Sequence, residues 1–338
     1  MSAVPVLVEM HPACNAHDPG RHHPERSERL AAVLAGLEPA FRAGAAKQVQ
    51  PRPATREDLI RVHDPVTVDA LEEFCIAGGG HIDVDTAAWP ASWPAALAAA
   101  GAGLDAIERL SAGEADAAFI AVRPPGHHAT ATQAMGFCLL NNVAVAAGFL
   151  ADAGERVLIV DFDAHHGNGT QDIFYSDPRV VYVSLHQWPL YPGTGRLDQI
   201  GAGAGEGTTV NIPVPAGATG DVYLAAIDEV IEPVAERFRP TWLMISAGFD
   251  GHRADPLTDL GLTSGDFGDL TARLCALVPP GRRLVTLEGG YDLDALAAST
   301  EACVAALSGQ RLLPEPASSG GPGLHVVKAS RDLHVEGR

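Results

Sequence analysis

Arg156-Val157-Leu158-Ile159-Val160-Asp161-Phe162-Asp163-Ala164-His165-His166-Gly167-Asn168-Gly169 joins an apolar run directly to a cluster of metal-ligand side chains. The run follows Gly154 and is rich in β-branched residues, the pattern of a parallel-sheet strand buried on both faces. Charged groups at the end of such a strand need partners. Side chains alternate along a strand, so Asp161, Asp163 and His165 are expected on one side, where an Asp-x-His pair can share a cation. A metal-dependent enzyme is the first expectation.

Working outward, strands are expected at 6–9, 117–122, 157–161, 180–185, 209–212, 242–246 and 284–287. Helical stretches with apolar residues three or four apart fall at 26–37, 93–110, 142–150, 222–238, 266–277 and 293–307. Alternating strands and helices produce a mostly parallel sheet covered on both faces, an α/β/α sandwich. The 338 residues and 46% hydrophobic content fit one catalytic domain over 1–309. The Pro, Ser and Gly residues after Arg311 predict a loosely ordered tail over 310–338.

Composition excludes several classes. Lys and Arg total 23 against 42 Asp and Glu, a formal charge of −19, which argues against nucleic acid as a partner and favours cationic substrates. Five scattered cysteines without a CxxC pair predict neither a disulfide framework nor a zinc finger. No stretch reads as a leader or a membrane span, so a cytoplasmic protein without a membrane partner is expected, with a homo-oligomer left open. Lys47 and Lys328 are the only lysines among many Ala, Gly, Pro and Arg residues, the composition of a GC-rich bacterial coding sequence.

Five motifs stand just after strands: RPPGHHA at 123–129, the 161–169 cluster, SLH at 184–186, SAGFD at 246–250 and EGGY at 288–291. Ligands of open α/β sheets bind beyond the carboxyl ends of the strands. The five strand ends are therefore expected to converge on one site.

These motifs, with HPER at 23–26, VHDP at 62–65, GFCLLNN at 136–142, DFDAHHGNGTQ at 161–171 and YPGTG at 191–195, resemble the histone deacetylase superfamily of the arginase/deacetylase fold. The likeness runs from about His11 to Gly309 and is nearest the class II and bacterial members. It implies a three-layer sandwich around an open parallel sheet of about eight strands, with zinc at the base of a narrow acyl tunnel.

Residue by residue, the resemblance makes Asp163, His165 and Asp250 the metal ligands. One imidazole and two carboxylates leave a position open, as a catalytic zinc needs, and two hard oxygen donors also admit Fe(II) or Co(II). His127 and His128 match a tandem pair that flanks the attacking water, an acid and base role suited to histidine. Asp161 matches the acidic partner of His127, whereas Asn168 stands where an acidic partner of His128 is usual. Tyr291 matches the donor to the scissile carbonyl oxygen. Gly136, Phe137, Tyr191 and Leu257 match the wall of the acyl channel, and Arg26 a residue near the acetate exit. Asp161, Ser184, Leu185, Phe174, Asp177 and Val180 match structural potassium sites.

The reaction so implied is hydrolysis of an N-acyl amine, either acetyl-lysine in a protein or peptide or, on the same fold and metal, an acetylpolyamine. Acidic Asp83 and Asp85 in loop 78–88 suit a polyamine, while Leu257 stands where polyamine-preferring relatives carry an acidic gate. An arginase-type ureohydrolase, which needs two manganese ions, and a non-catalytic acyl-lysine binder are the readings from other classes.

Overall fold

A computed structural model describes residues 5–337. Among the described residues ten strands run in chain order: β1 (Val6–Glu9), β2 (Ala46–Val49), β3 (Gly80–His81), β4 (Ala87–Ala88), β5 (Ala118–Ile120), β6 (Val157–Asp161), β7 (Val180–Gln187), β8 (Thr209–Val214), β9 (Trp242–Ala247) and β10 (Arg283–Leu287). Eight of them form one sheet in the order β2-β1-β5-β10-β9-β6-β7-β8, and every pairing in it is parallel. Strands β3 and β4 make a separate antiparallel hairpin.

The sheet forms because its central strands are apolar on both faces: all five residues of β6 and all six of β9 are buried. Helices cover both faces, giving the expected three-layer α/β/α architecture. They are α1 (Glu28–Arg42), α2 (Arg56–Leu59), α3 (Pro65–Ile76), α4 (Ser92–Ser111), α5 (Asn142–Asp152), α6 (Asn168–Phe174), α7 (Gly220–Ala226), α8 (Glu232–Phe238), α9 (Ser264–Cys275), α10 (Leu293–Leu307) and α11 (Leu324–Arg331). Side chains set their starts. Asn141 caps α5 through Ala144 N–H at 3.0 Å, and a Thr263/Asp266 capping box opens α9; such caps are worth about 0.5–2 kcal/mol.

Three differences from expectation have local causes. Strand β2, not among the expected strands, is an edge strand whose Lys47 and Gln48 are exposed, so it lacks the apolar signature of its neighbours. The expected helix at 222–238 is interrupted by a π turn over Ile227–Ile231, just before Pro233, whose ring would otherwise crowd the carbonyl four residues back. Residues 310–337 are not loosely attached. Helix α11 packs on β8 and α7, Val327 is buried, and Arg237 Nη1 donates to His334 O at 3.0 Å. Proline, serine and glycine there serve close backbone attachment rather than looseness.

Candidate active site

Four adjacent central strands deliver the site. The 123–129 loop follows β5, residues 288–291 follow β10, Asp250 follows β9, and Asp163 and His165 follow β6. Register aligns the last two strands, with Asp161 opposite Ser246.

Asp163, His165 and Asp250 offer donor atoms that all lie within 4.8 Å of one another. His165 Nδ1 is 2.8 Å from Asp250 Oδ2 and 3.3 Å from Asp163 Oδ1. Backbone N–H groups aim the carboxylates: Ala164 N donates to Asp250 Oδ1 at 2.9 Å, and Gly289 N to Asp163 Oδ2 at 2.8 Å. A Cβ at Gly289 would come within 2.4 Å of Asp250 Oδ2, and one at Gly248 within 1.9 Å of Asp163 Oδ2, so glycines keep the space around the donors clear. The site favours a cation. Burial opposes a charge on His165, yet the Asp163 and Asp250 carboxylates outweigh it and push the imidazole up to about 10. Two carboxylates and an imidazole, preorganised around one point, fit a divalent metal. Among the described residues these three are the only such group, where a two-metal ureohydrolase needs more ligands.

The tandem histidines lie beside this cluster, their ring centroids 4.0 Å apart. His127 Nδ1 is 3.0 Å from Asp161 Oδ2, which also accepts from Tyr182 OH at 3.0 Å. His128 Nδ1 is 2.8 Å from Asn168 Oδ1. Asn168 Nδ2 turns towards His128 O and Met135 Sδ, each at 3.4 Å, which leaves its oxygen to accept from the ring. His128 thus carries its proton on Nδ1 and presents a bare Nε2. The two rings are driven apart. Burial opposes charge on both, but Asp163 and Asp161 push His127 up to about 10, whereas His127 and His165 add to the burial and hold His128 well below the usual histidine range.

The loop bearing the pair is fixed on all sides. Glu288 accepts from Gly126 N at 2.7 Å and His127 N at 3.2 Å, and Asn142 Nδ2 holds Pro124 O at 3.0 Å. Tyr291 is nearly buried, and its N–H donates to Asp255 Oδ2 at 2.7 Å. Burial holds its phenol well above the ordinary value, so the hydroxyl stays protonated.

A cavity of about 220 Å³ opens onto these groups, lined by His127, His128, Gly136, Phe137, His165 and Tyr291, with Tyr191 and Leu257 exposed at its rim. Phe137 and Tyr291 meet edge-to-face at 5.9 Å, as do His128 and Tyr191 at 5.2 Å. Gly136 has a φ of +55°, and a Cβ there would lie 2.6 Å from His128 Cδ2, so only glycine lets the wall close on that ring.

Other residues fall differently from expectation. Arg26 is exposed, lining a separate polar cavity with Arg21 and His22. The guanidinium behind the site is that of buried Arg29, whose Nε donates to Gly290 O at 2.6 Å and Nη2 to Glu288 O at 2.5 Å. Arg29 is tied through Glu25 to buried Arg123. A charged run at a helix start reads as solvated surface, so these buried partners had no distinguishing signal. Asp85, Pro125 and Leu190 also line the cavity, and Glu288 and Asp255 brace it.

The six residues matched to potassium sites divide into two groups. Asp161, the last residue of β6, pairs in register with Ser184, beside Leu185, in the middle of β7, while Val180 begins β7 and Phe174 and Asp177 precede it. The Asp177 carboxylate is engaged by Arg179 Nη2 at 2.7 Å.

The histone deacetylase domain profile matches residues 23–307. The chain belongs to the histone deacetylase family. A probable deacetylase of Archaeoglobus fulgidus is 43% identical over 300 residues, covering 87% of this chain and 83% of that one. Histone deacetylase 15 of Arabidopsis thaliana is 40% identical over 323 residues, covering 93% of this chain and 58% of that one. The crystal structure of the HDA15 HD domain superposes with a TM-score of 0.91 at 37% identity, covering 99% of this chain and 95% of the other. Family membership makes this chain a deacetylase, a hydrolase of acetylated amides, and sets aside the ureohydrolase and binding-module readings. Among the described residues no helix is long and apolar enough to cross a membrane.

Proposed function

We propose that this deacetylase hydrolyses acetyl-lysine in proteins or peptides, with zinc held by Asp163, His165 and Asp250. The observation that carries the substrate reading is the cavity wall: Phe137, Tyr191 and Leu257 form an apolar slot above polar groups, suited to a straight alkyl stem.

Bound zinc supplies Lewis-acid polarisation of the scissile carbonyl and of water. His128, neutral and bare at Nε2, takes the proton of the attacking water. His127, charged and held by Asp161, stabilises the developing negative charge and is the proton source for the departing amine. The Tyr291 hydroxyl donates to the carbonyl oxygen as that oxygen gathers charge. Backbone oxygens at Phe174, Asp177 and Val180, and the oxygens of Asp161, Ser184 and Leu185, are the proposed potassium ligands, since a hard monovalent cation prefers oxygen.

Asn168 sets the pH range of the base. Its amide leaves His128 without a counter-charge, so protonation of that ring is disfavoured. The Asn168→Asp variant places a carboxylate at that 2.8 Å contact, favours the imidazolium and raises the histidine's pKa. Because the base works only when neutral, the acidic limb of kcat/KM moves to higher pH: activity near pH 6 falls while that near pH 9 changes little. An acidic limb unmoved in the variant would make Asn168 a spectator.

An acetylpolyamine substrate is the second reading, favoured by Asp85 in the cavity wall and the charge of −19. Rates on an acetyl-lysine peptide and on N8-acetylspermidine, measured side by side on zinc-loaded protein, decide between them. We expect the peptide to be faster by at least tenfold in kcat/KM. A preference for the polyamine would overturn the lysine reading while leaving the deacetylase chemistry in place.

A further inference from the structure

The 250–263 loop carries three functions at once. Asp250 opens it, Asp255 in the middle holds Tyr291 N and Leu257 N at 2.7 and 2.9 Å, and Leu257 lines the cavity. Its two ends lie side by side: Arg253 N donates to Leu262 O at 2.8 Å, and Leu262 N to Gly251 O at 3.2 Å.

A single carboxylate clasps both ends from outside. Glu315 Oε2 is 2.6 Å from His252 Nε2. His252 Nδ1 accepts from Ala254 N at 3.2 Å, so in the neutral ring the proton sits on Nε2 and is donated to Glu315. Arg253 Nη2 binds the other oxygen. From the far end of the loop, Ser264 N and Oγ donate to Oε2 at 3.2 and 3.1 Å. His252 is 4% exposed, while Glu315 and Arg253 keep 27% and 58% of their side-chain surface in solvent, so the sheltered part of the junction is the His252 contact, a charge-assisted bond from a buried ring.

The neighbouring chain is built to bring that carboxylate in. Thr263 Oγ1 donates to Pro316 O at 2.9 Å, and Ser318 Oγ to Asp266 Oδ2 at 2.6 Å. A Cβ at Gly265 would approach Glu315 O to 2.3 Å, so glycine in the first turn of α9 is what allows the contact. Glu315 lies beyond residue 307, where the match to the family profile ends.

We propose that Glu315 is a positioning residue that acts through His252, Arg253 and Ser264 to hold Asp250, Asp255 and Leu257 in their working places. The C-terminal segment is on this view part of the site's support. The inference rests on Asp250 being a metal ligand. Partners that orient a ligand from behind typically change metal affinity about 10- to 100-fold when removed.

The test uses the full chain and Glu315→Ala, Glu315→Gln and Gly265→Ala variants. Zinc affinity is read by chelator competition, amide hydrogen exchange by peptide across 251–263, and kcat and KM on one acetylated peptide. Glu315→Ala is expected to weaken zinc roughly tenfold, to speed exchange across 251–263 selectively and to raise KM. Glu315→Gln should fall between it and wild type, since an amide oxygen still accepts from Ser264 but the charge is gone. Gly265→Ala should reproduce the Glu315→Ala pattern without touching the carboxylate. Unchanged zinc affinity and unchanged loop exchange in Glu315→Ala would overturn the proposal. Should that variant not fold, Glu315→Gln and Ser264→Ala carry the same test with about threefold changes, and no change in either has the same force. Should wild-type protein bind no zinc, the metal reading fails on its own, and selective loop exchange still decides the role of Glu315.

Discussion

Asp163→Ala protein supplied with zinc is expected to keep no more than about one thousandth of the wild-type rate on an acetyl-lysine peptide. Asp163 is buried and stands between His165 Nδ1 and Gly289 N, so on the proposed metal site its loss removes both a donor and the charge that offsets the ion. A bound metal contributes several kcal/mol to the transition state, and about 4 kcal/mol corresponds to roughly 10³ in rate. Alanine also strands buried N–H groups of His165 and Gly289, at about 1–3 kcal/mol each. The Asp163→Asn variant separates the two effects, because its amide oxygen can still accept from one of them. Both variants should lose zinc in chelator competition, with asparagine folding more stably. Full amidase activity in Asp163→Ala, measured in metal-defined buffer, would remove this residue from the metal site.

Tyr291→Phe is expected to lower kcat by about 10²- to 10³-fold, the usual loss for one oxyanion donor, while KM and zinc affinity stay close to wild type. The split follows from placement. The ring packs on Phe137 at 5.9 Å and under the Arg29 guanidinium at 5.0 Å, and phenylalanine preserves both contacts. Only the hydroxyl is lost, and it matters most as negative charge builds on the carbonyl oxygen. A fall in kcat/KM carried wholly by KM would instead make Tyr291 a substrate-packing residue.

Much of this was legible in the chain, for reasons particular residues make plain. Val157 to Val160 are apolar without a break, and a strand buried on both faces leaves that mark. The motifs after β5, β6, β9 and β10 pointed to one edge of a parallel sheet, and the structure brings His127, His128, Asp163, His165, Asp250 and Tyr291 together there. The expected reason for the Asp161, Asp163 and His165 grouping was only partly right. Strand β6 ends at Asp161, so it is not the pleat that places Asp163 and His165 but a bend in which Asp163 N donates to Asp161 Oδ1 at 3.1 Å.

What was illegible shares a different physics. Arg29 and Arg123 are charged and yet fully buried, which depends on partners supplied by Glu25 and by the backbone of Gly290 and Glu288. Helix periodicity could not single out Arg29 over Arg26 as the buried one. Between residues 315 and 321 the C-terminal segment is fastened by backbone and short polar side chains, as at Ser318 and Gly321, and its apolar anchor is confined to a short stretch of α11 at Val326 and Val327, too brief a pattern to stand out among Pro, Ser and Gly.

The order of the strands bears on how the protein acquires its ion. Asp163 and Asp250 are 87 positions apart in the chain, yet β6 and β9 are direct neighbours in the sheet. A nascent chain that has not yet released β9 from the ribosome therefore owns only two of the three proposed donors and has no complete site for a metal. Binding free energy gained only by the assembled state adds to its stability by mass action, about 2.7 kcal/mol when free metal stands at 100 times its dissociation constant. On the proposed metal site, loading is a late event that rewards completion of the sheet, and metal starvation would be felt as a shift in the folding equilibrium as well as a loss of turnover.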